Sequence, residues 1–314
     1  MRYIVKKIIT MLITILAVSF LVFLTFEIIP GDAVTKMLGT NATPEKVNAL
    51  REQLGLNKPF LIRYLSTVKD FFLGDMGTSY TYYTPVKSLL ADKLPITITL
   101  TLMSFFFIIV ISIPLGIMTA KYYDRVFARV FEVLNQIFMS VPPFFTGILF
   151  TYLFGILLRW FTPGGFVSYK VNFWQYLAYM IIPSLSIAIP KAAMNMRLLK
   201  NSVLSESKLD YVRTAYSRGG STNRILYKHV LRNAIIPVVT FMGMTLADII
   251  AGSLIIEQVF SIPGFGRLLI TSIANRDFPV AQSIIVIIAI VVLVINCIVD
   301  IAYVFIDPRV RNEK

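Results

Sequence analysis

The 314-residue chain is short of the residue types from which most catalytic and metal chemistry is built. It has one cysteine, which excludes a disulfide framework and any cysteine-cluster metal site. Its one histidine, His229, excludes an HExxH zinc motif and a histidine pair. No glycine is followed by lysine, so there is no phosphate-binding GxxxxGK[ST] loop. Charged residues make up only 15%, against about 25% in a soluble domain. What is abundant is apolar: 56% of the residues are hydrophobic and the mean hydropathy is +0.74. The net charge is nonetheless +13, so the position of the charges matters more than their number.

A helix needs about 20 predominantly apolar residues to cross the hydrocarbon core. Six runs qualify, at roughly 8–29, 96–118, 131–158, 176–198, 237–257 and 280–305, and they predict an all-α, polytopic membrane protein. The first run follows Arg2, Lys6 and Lys7 but is too long for a signal peptide and has no small-residue cleavage pattern after it. It reads as an uncleaved span. With the N-terminus inside, eighteen basic residues fall in short inner segments, nine of them between Lys191 and Arg232, and four fall in short outer loops. Both termini are therefore expected in the cytoplasm. This sorting reads the +13 as an orientation signal, not a nucleic-acid footprint.

Three regions follow: 1–29, an inner N-terminus with the first span; 30–95, an outer helical subdomain; and 96–314, a five-span core. In the second region Thr43 and Pro44 open a helix that Gly55 closes, Phe60 to Phe72 carries apolar residues at helical spacing, and Thr84-Pro85 opens another helix before Ser88. This subdomain is either a plain cover or a place of entry or docking.

The segment 199–236 is the most informative stretch. Ser207 and Asp210 read as a capping box opening a helix of about 11 residues, with Leu209, Val212 and Tyr216 on one face and Gly219-Gly220 closing it. Arg224, Lys228 and Arg232 then form a basic stripe at intervals of four before Pro237 opens the fifth span. Alone, this pattern fits a solvated basic loop as well as a docking surface. Asp248, at the centre of the fifth span, either lines a translocation path and meets a cationic group of the cargo or ties helices together. Acids elsewhere in the spans are too few for an ion relay, and no catalytic constellation can be assembled around His229.

The run Asp210-Tyr211-Val212-Arg213-Thr214-Ala215-Tyr216 through Gly219, followed by His229-Val230-Leu231-Arg232-Asn233-Ala234 and Pro237, resembles the cytoplasmic loop of permease subunits of ATP-binding-cassette importers, in their peptide/nickel branch. Further matching segments are Ile29-Pro30-Gly31-Asp32, Gly74-Asp75-Met76-Gly77-Thr78-Ser79, Leu94-Pro95, Glu257 to Arg267, Asp277-Phe278-Pro279-Val280 and Asp307-Pro308-Arg309-Val310-Arg311. They run in order along nearly the whole chain. The general importer motif begins Glu-Ala-Ala, where this chain has Arg213-Thr214-Ala215.

The resemblance implies a type I importer permease with six spans, a coupling helix at 208–218 and no ATPase site of its own. It implies as partners a second homologous permease, two ATP-binding subunits that hold the ATP and magnesium, and an external solute-binding protein. The expected cargo is an oligopeptide or dipeptide, with nickel or a metal chelate as the rival within the branch. A stand-alone ion-coupled carrier is the rival from another class.

Overall fold

The computed structural model describes residues 2–28, 33–39, 43–53 and 55–306. The Ile29 to Asp32 and Asp307 to Arg311 segments lie outside the described residues. Among those described, the regular elements are helical: α1 (Arg2–Ile28), α2 (Ala33–Leu38), α3 (Pro44–Gln53), α4 (Phe60–Phe72), α5 (Val86–Lys121), α6 (Val126–Ser140), α7 (Pro143–Phe150, extended by a π-helical stretch Thr151–Leu157), α8 (Phe173–Glu206), α9 (Asp210–Ser217), α10 (Thr222–Ile225, extended by a π-helical stretch Leu226–Val230), α11 (Leu231–Val259), α12 (Phe265–Asn275) and α13 (Phe278–Ile306). Five are long and apolar enough to cross a membrane, and six if α6 and α7 are counted as one broken span.

Three boundaries differ from the sequence expectation. The third span bends by 102° between residues 126–140 and 143–157. Pro142 and Pro143 explain it: a proline drives the preceding residue out of the helical region, and Val141 is extended at φ −93°, ψ 122°. The expected helix start at Thr84-Pro85 and the second span are one helix, α5, which runs unbroken through Pro95. Pro237 does not open the fifth span either, because the helical stretch from Thr222 to Val259 passes through it.

The chain divides into two compact units, residues 1–97 with 263–294 and residues 98–262 with 295–314, so α5 and α13 each contribute to both. In the first unit, α4 lies on α1 through an aromatic cluster of Phe20, Phe23, Phe60 and Tyr64 with ring centroids 5.3–5.8 Å apart. The Tyr64 hydroxyl also donates to the Leu16 carbonyl at 3.1 Å, and Arg63 pairs with Glu27. Only part of the apolar face expected on α4 is used, since Leu61, Leu65 and Phe72 are exposed.

The same unit is closed by a buried carboxylate. Asp277, just before α13, accepts from the Ser79 hydroxyl, from the Tyr80 amide at 3.0 Å and from the Thr81 amide at 3.2 Å. Two motifs nearly 200 residues apart in sequence, Gly74 to Ser79 and Asp277 to Val280, thus form one structure. Burial, and then the Asp277 charge, push the Tyr80 hydroxyl above the ordinary tyrosine range.

In the second unit α8 packs along α11, and α6 and α7 pack against α8. Lipid tails are as apolar as leucine, so close backbone approach and buried hydrogen bonds hold such helices together. A Cβ on Gly116 would come 2.9 Å from Leu199, and one on Gly243 would overlap the Val299 side chain. The Asn135 amide of α6 donates to the Ala193 carbonyl of α8 at 3.0 Å. At one end of this bundle Leu199, Val203, Val212, Ile225, Leu226, Val230, Ala234 and Val238 form a buried cluster that seats α9.

Candidate functional site: a short helix at the junction of two spans

Between α8 and α11 the chain leaves the bundle, makes the eight-residue helix α9 and returns. The proposed capping box is not formed. Ser207 instead caps the end of α8, its hydroxyl donating to the Val203 carbonyl at 2.7 Å. Leu209 stands at the N-cap position of α9 with no side-chain cap, so the helix starts at Asp210. The acid at that first position still complements the partial positive charge of a helix N-terminus. Its 3.4 Å pair with Arg213 is solvent-exposed and contributes little.

The closure expected at Gly219-Gly220 is present. Gly219 has φ +79°, its amide donates to the Tyr216 carbonyl at 2.9 Å, and the Gly220 amide donates to the Ala215 carbonyl at 3.3 Å. These two bonds make a Schellman motif, which satisfies carbonyls a helix end leaves free. A Cβ on Gly220 would stand 3.0 Å from that same Ala215 oxygen. Gly219 is therefore favoured for its backbone angle, and Gly220 leaves room where a side chain would crowd the Ala215 carbonyl and Ile225.

The buried side of α9 is not the one the spacing suggested. Val212 is buried and Ala215 half-buried against the Leu199–Val230 cluster, while Leu209 and Tyr216 are exposed. Asp210, Tyr211, Arg213 and Thr214 also face outward. Beyond α9, Ile225, Leu226, Val230, Ala234 and Val238 turn inward, leaving Arg224, Lys228, His229 and Arg232 exposed. The outer surface is thus aromatic and basic around one short helix.

Glu206, outside the motifs, and Asn233, within one but given no role there, hold this helix in place. The Tyr211 hydroxyl donates to Glu206 Oε1 at 2.7 Å, and the Asn233 amide donates to the same oxygen at 3.0 Å and reaches the Tyr211 hydroxyl at 3.2 Å. Glu206 ends α8 and Asn233 lies in the first turn of α11, so one triangle joins both spans to α9. Burial, and then the bond to Glu206, raise the Tyr211 hydroxyl above the ordinary tyrosine range.

Asp248 is not part of this surface. It forms an ion pair across to α8, 2.8 Å from Lys191 Nζ. Lys191 lies within the span Phe173–Glu206, as do Arg197 and Lys200, so these three of the nine basic residues between Lys191 and Arg232 are span charges and not loop charges. Among the described residues no group of three or more histidine, cysteine or acidic side chains is placed to hold a metal ion.

Residues 112–312 match the family described as "Binding-protein-dependent transport system inner membrane component", and residues 1–101 match the N-terminal family of the same systems' membrane components. The chain is 33% identical over 315 residues to the oligopeptide transport system permease protein AppB of Bacillus subtilis, covering 98% of this chain and 99% of the relative. It is 32% identical over 309 residues to a protein of Sinorhizobium fredii named as a probable peptide ABC transporter permease, covering 98% and 99%.

Proposed function

Because the chain belongs to the family of inner membrane components of binding-protein-dependent transport systems, we propose that it is the peptide-translocating permease subunit of an ATP-driven importer in a bacterial cytoplasmic membrane. Its partners in this reading are a second, homologous permease, two ATP-binding subunits and an external binding protein that delivers the cargo. The near full-length likeness to AppB, an oligopeptide permease by name, supports peptides as that cargo. Both termini and α9 lie on the cytoplasmic side, and residues 30–95 form the outer subdomain.

The observation that carries the reading is the construction of α9. It is eight residues long, closed by a Schellman motif, anchored inward only through Val212 and Ala215, and bonded through Tyr211 to the ends of two span helices. Such a helix suits docking into a cleft on an ATP-binding subunit. Its outward groups Leu209, Tyr211, Arg213, Thr214 and Tyr216 would supply contacts, with His229, Arg232 and the rest of the basic surface beside them. ATP and magnesium are held by the partner, whose closure on ATP displaces α9. The Glu206–Tyr211–Asn233 triangle passes that displacement to α8 and α11 together, which switches the side to which the path opens.

The test is to place arginine at Ala215 and, separately, at Gly219. Each substitution alters the helix or its seat and leaves the residues of the apolar spans themselves unchanged, so peptide uptake by the complete transporter is expected to be abolished while membrane insertion is retained. Wild-type uptake in both variants would overturn the docking assignment.

A further inference from the structure

Asp248 stands in a line of outward-facing residues on α11, Met244, Asp248, Ala251, Ile255 and Gln258. Spacings of four and three put them on one helix face. Its side chain is 65% exposed, while that of its partner Lys191 is 22% exposed. A carboxylate inside a span does not face lipid tails, since ionisable groups at that depth turn to a watery cavity or a partner. Beneath the pair is a polar layer: the Asn195 amide donates to the Lys191 carbonyl at 2.9 Å and reaches the Thr245 hydroxyl at 3.4 Å. Asn195 is fully buried and its Oδ1 has no hydrogen-bond partner. Lys191 is thus the covered member of the pair, and Asp248 presents its open side to whatever passes the α11 face.

Building on the peptide reading above, we infer that the Lys191–Asp248 pair is a docking point for the charged termini of the cargo. The α-ammonium of a peptide takes the place of Lys191 Nζ on the Asp248 carboxylate, and the released Lys191 ammonium receives the peptide carboxylate. One cation is exchanged for another, so neither charge is left alone within the span. When the cargo leaves, the two side chains pair again, and the site is compensated both full and empty. Because every linear peptide carries the same two termini, the site reads the cargo class without reading its side chains. Met244, one turn away on the exposed face, adds an unbranched, adaptable apolar surface.

The test uses the complete transporter in proteoliposomes, with its binding protein, ATP and labelled trialanine, whose only charges are its termini. Asp248→Asn is expected to lower uptake about tenfold or more, the scale of a lost charge-assisted hydrogen bond, with the subunits still co-purifying. Lys191→Met is expected to lower it less. The exchange Lys191→Asp with Asp248→Lys rebuilds the pair in reverse and is expected not to restore uptake, because the carboxylate then stands on α8. Restoration by the exchange would make the pair a helix tie and overturn the inference, as would wild-type uptake by Asp248→Asn or loss of a subunit from that variant. Failure of the wild-type transporter to take up trialanine would instead overturn the peptide reading on which the inference rests.

Discussion

A single buried carboxylate holds the turn before α5 to the start of α13. The Asp277 side chain accepts from two amides and a hydroxyl, and it and the Ser79 hydroxyl are both buried. Asp277→Ala removes the acceptor of the buried Ser79 hydroxyl and of the Tyr80 amide, while the Thr81 amide keeps the Ser79 hydroxyl as a second acceptor at 3.3 Å; since hydrogen bonds to a charged group contribute about 1.5–3 kcal/mol each, the loss is expected to reach about the upper end of that range. A clear drop in the thermal midpoint of the detergent-purified complex would show it. Asp277→Asn keeps one acceptor and should fall between. Sequence could mark Asp277 only as part of a matching segment, because its partners lie almost 200 residues away and no periodicity links them. Lys191 is a related case: it lies inside the apolar run 176–198, and only its partner Asp248, more than 50 residues away, shows how a lysine is accommodated there.

Elements built from local signals were legible, and those decided by contacts were not. The start of α3 at Pro44, the extent of α4 and the glycine closure of α9 follow from residues within one or two turns, and each stands where the sequence put it. The face α9 buries depends on the cluster beneath it, so Val212 and Ala215 turn inward while Leu209 and Tyr216 do not. Ser207 was drawn away from its expected cap by the carbonyl of Val203 in the preceding helix, a competition that serine side chains commonly meet. At this scale Tyr211 joins three helices and has a raised folded-state pKa. A raised folded value means that the folded state keeps the proton longer, so the stabilisation is complete below the unfolded value of about 10 and falls away as pH rises beyond it. Tyr211→Phe should weaken the seat of α9 at neutral pH and flatten the alkaline loss. Thermal midpoints of the purified complex from pH 8 to pH 11 would record both effects.

For the whole molecule, the count of apolar runs anticipated the architecture well, because span length is set by the bilayer and not by the neighbours of each helix. The broken third span is the exception, and its Pro142-Pro143 pair was visible in the sequence as a punctuation mark inside an apolar run. The grouping of spans was not visible. Residues 263–294 belong with the first 97, although some 165 residues that form most of the other unit lie between them. A chain truncated after Ile262 lacks Asp277, so the Ser79–Tyr82 loop is expected to be cut readily by protease there and to be protected in the full-length protein. Intact loops in the truncated chain would show that Asp277 is not what orders them.

The wide separation of Ser79 and Asp277 also sets a schedule. A ribosome adds about 5–20 residues each second, so a gap of 198 residues corresponds to roughly 10–40 s between the two ends of the clasp leaving the synthesis site. For that interval the Ser79–Tyr82 turn waits without its acceptor while the helices of the second unit are inserted. The order of assembly is therefore written into the chain, and the unit that begins first cannot close until most of the other has been made.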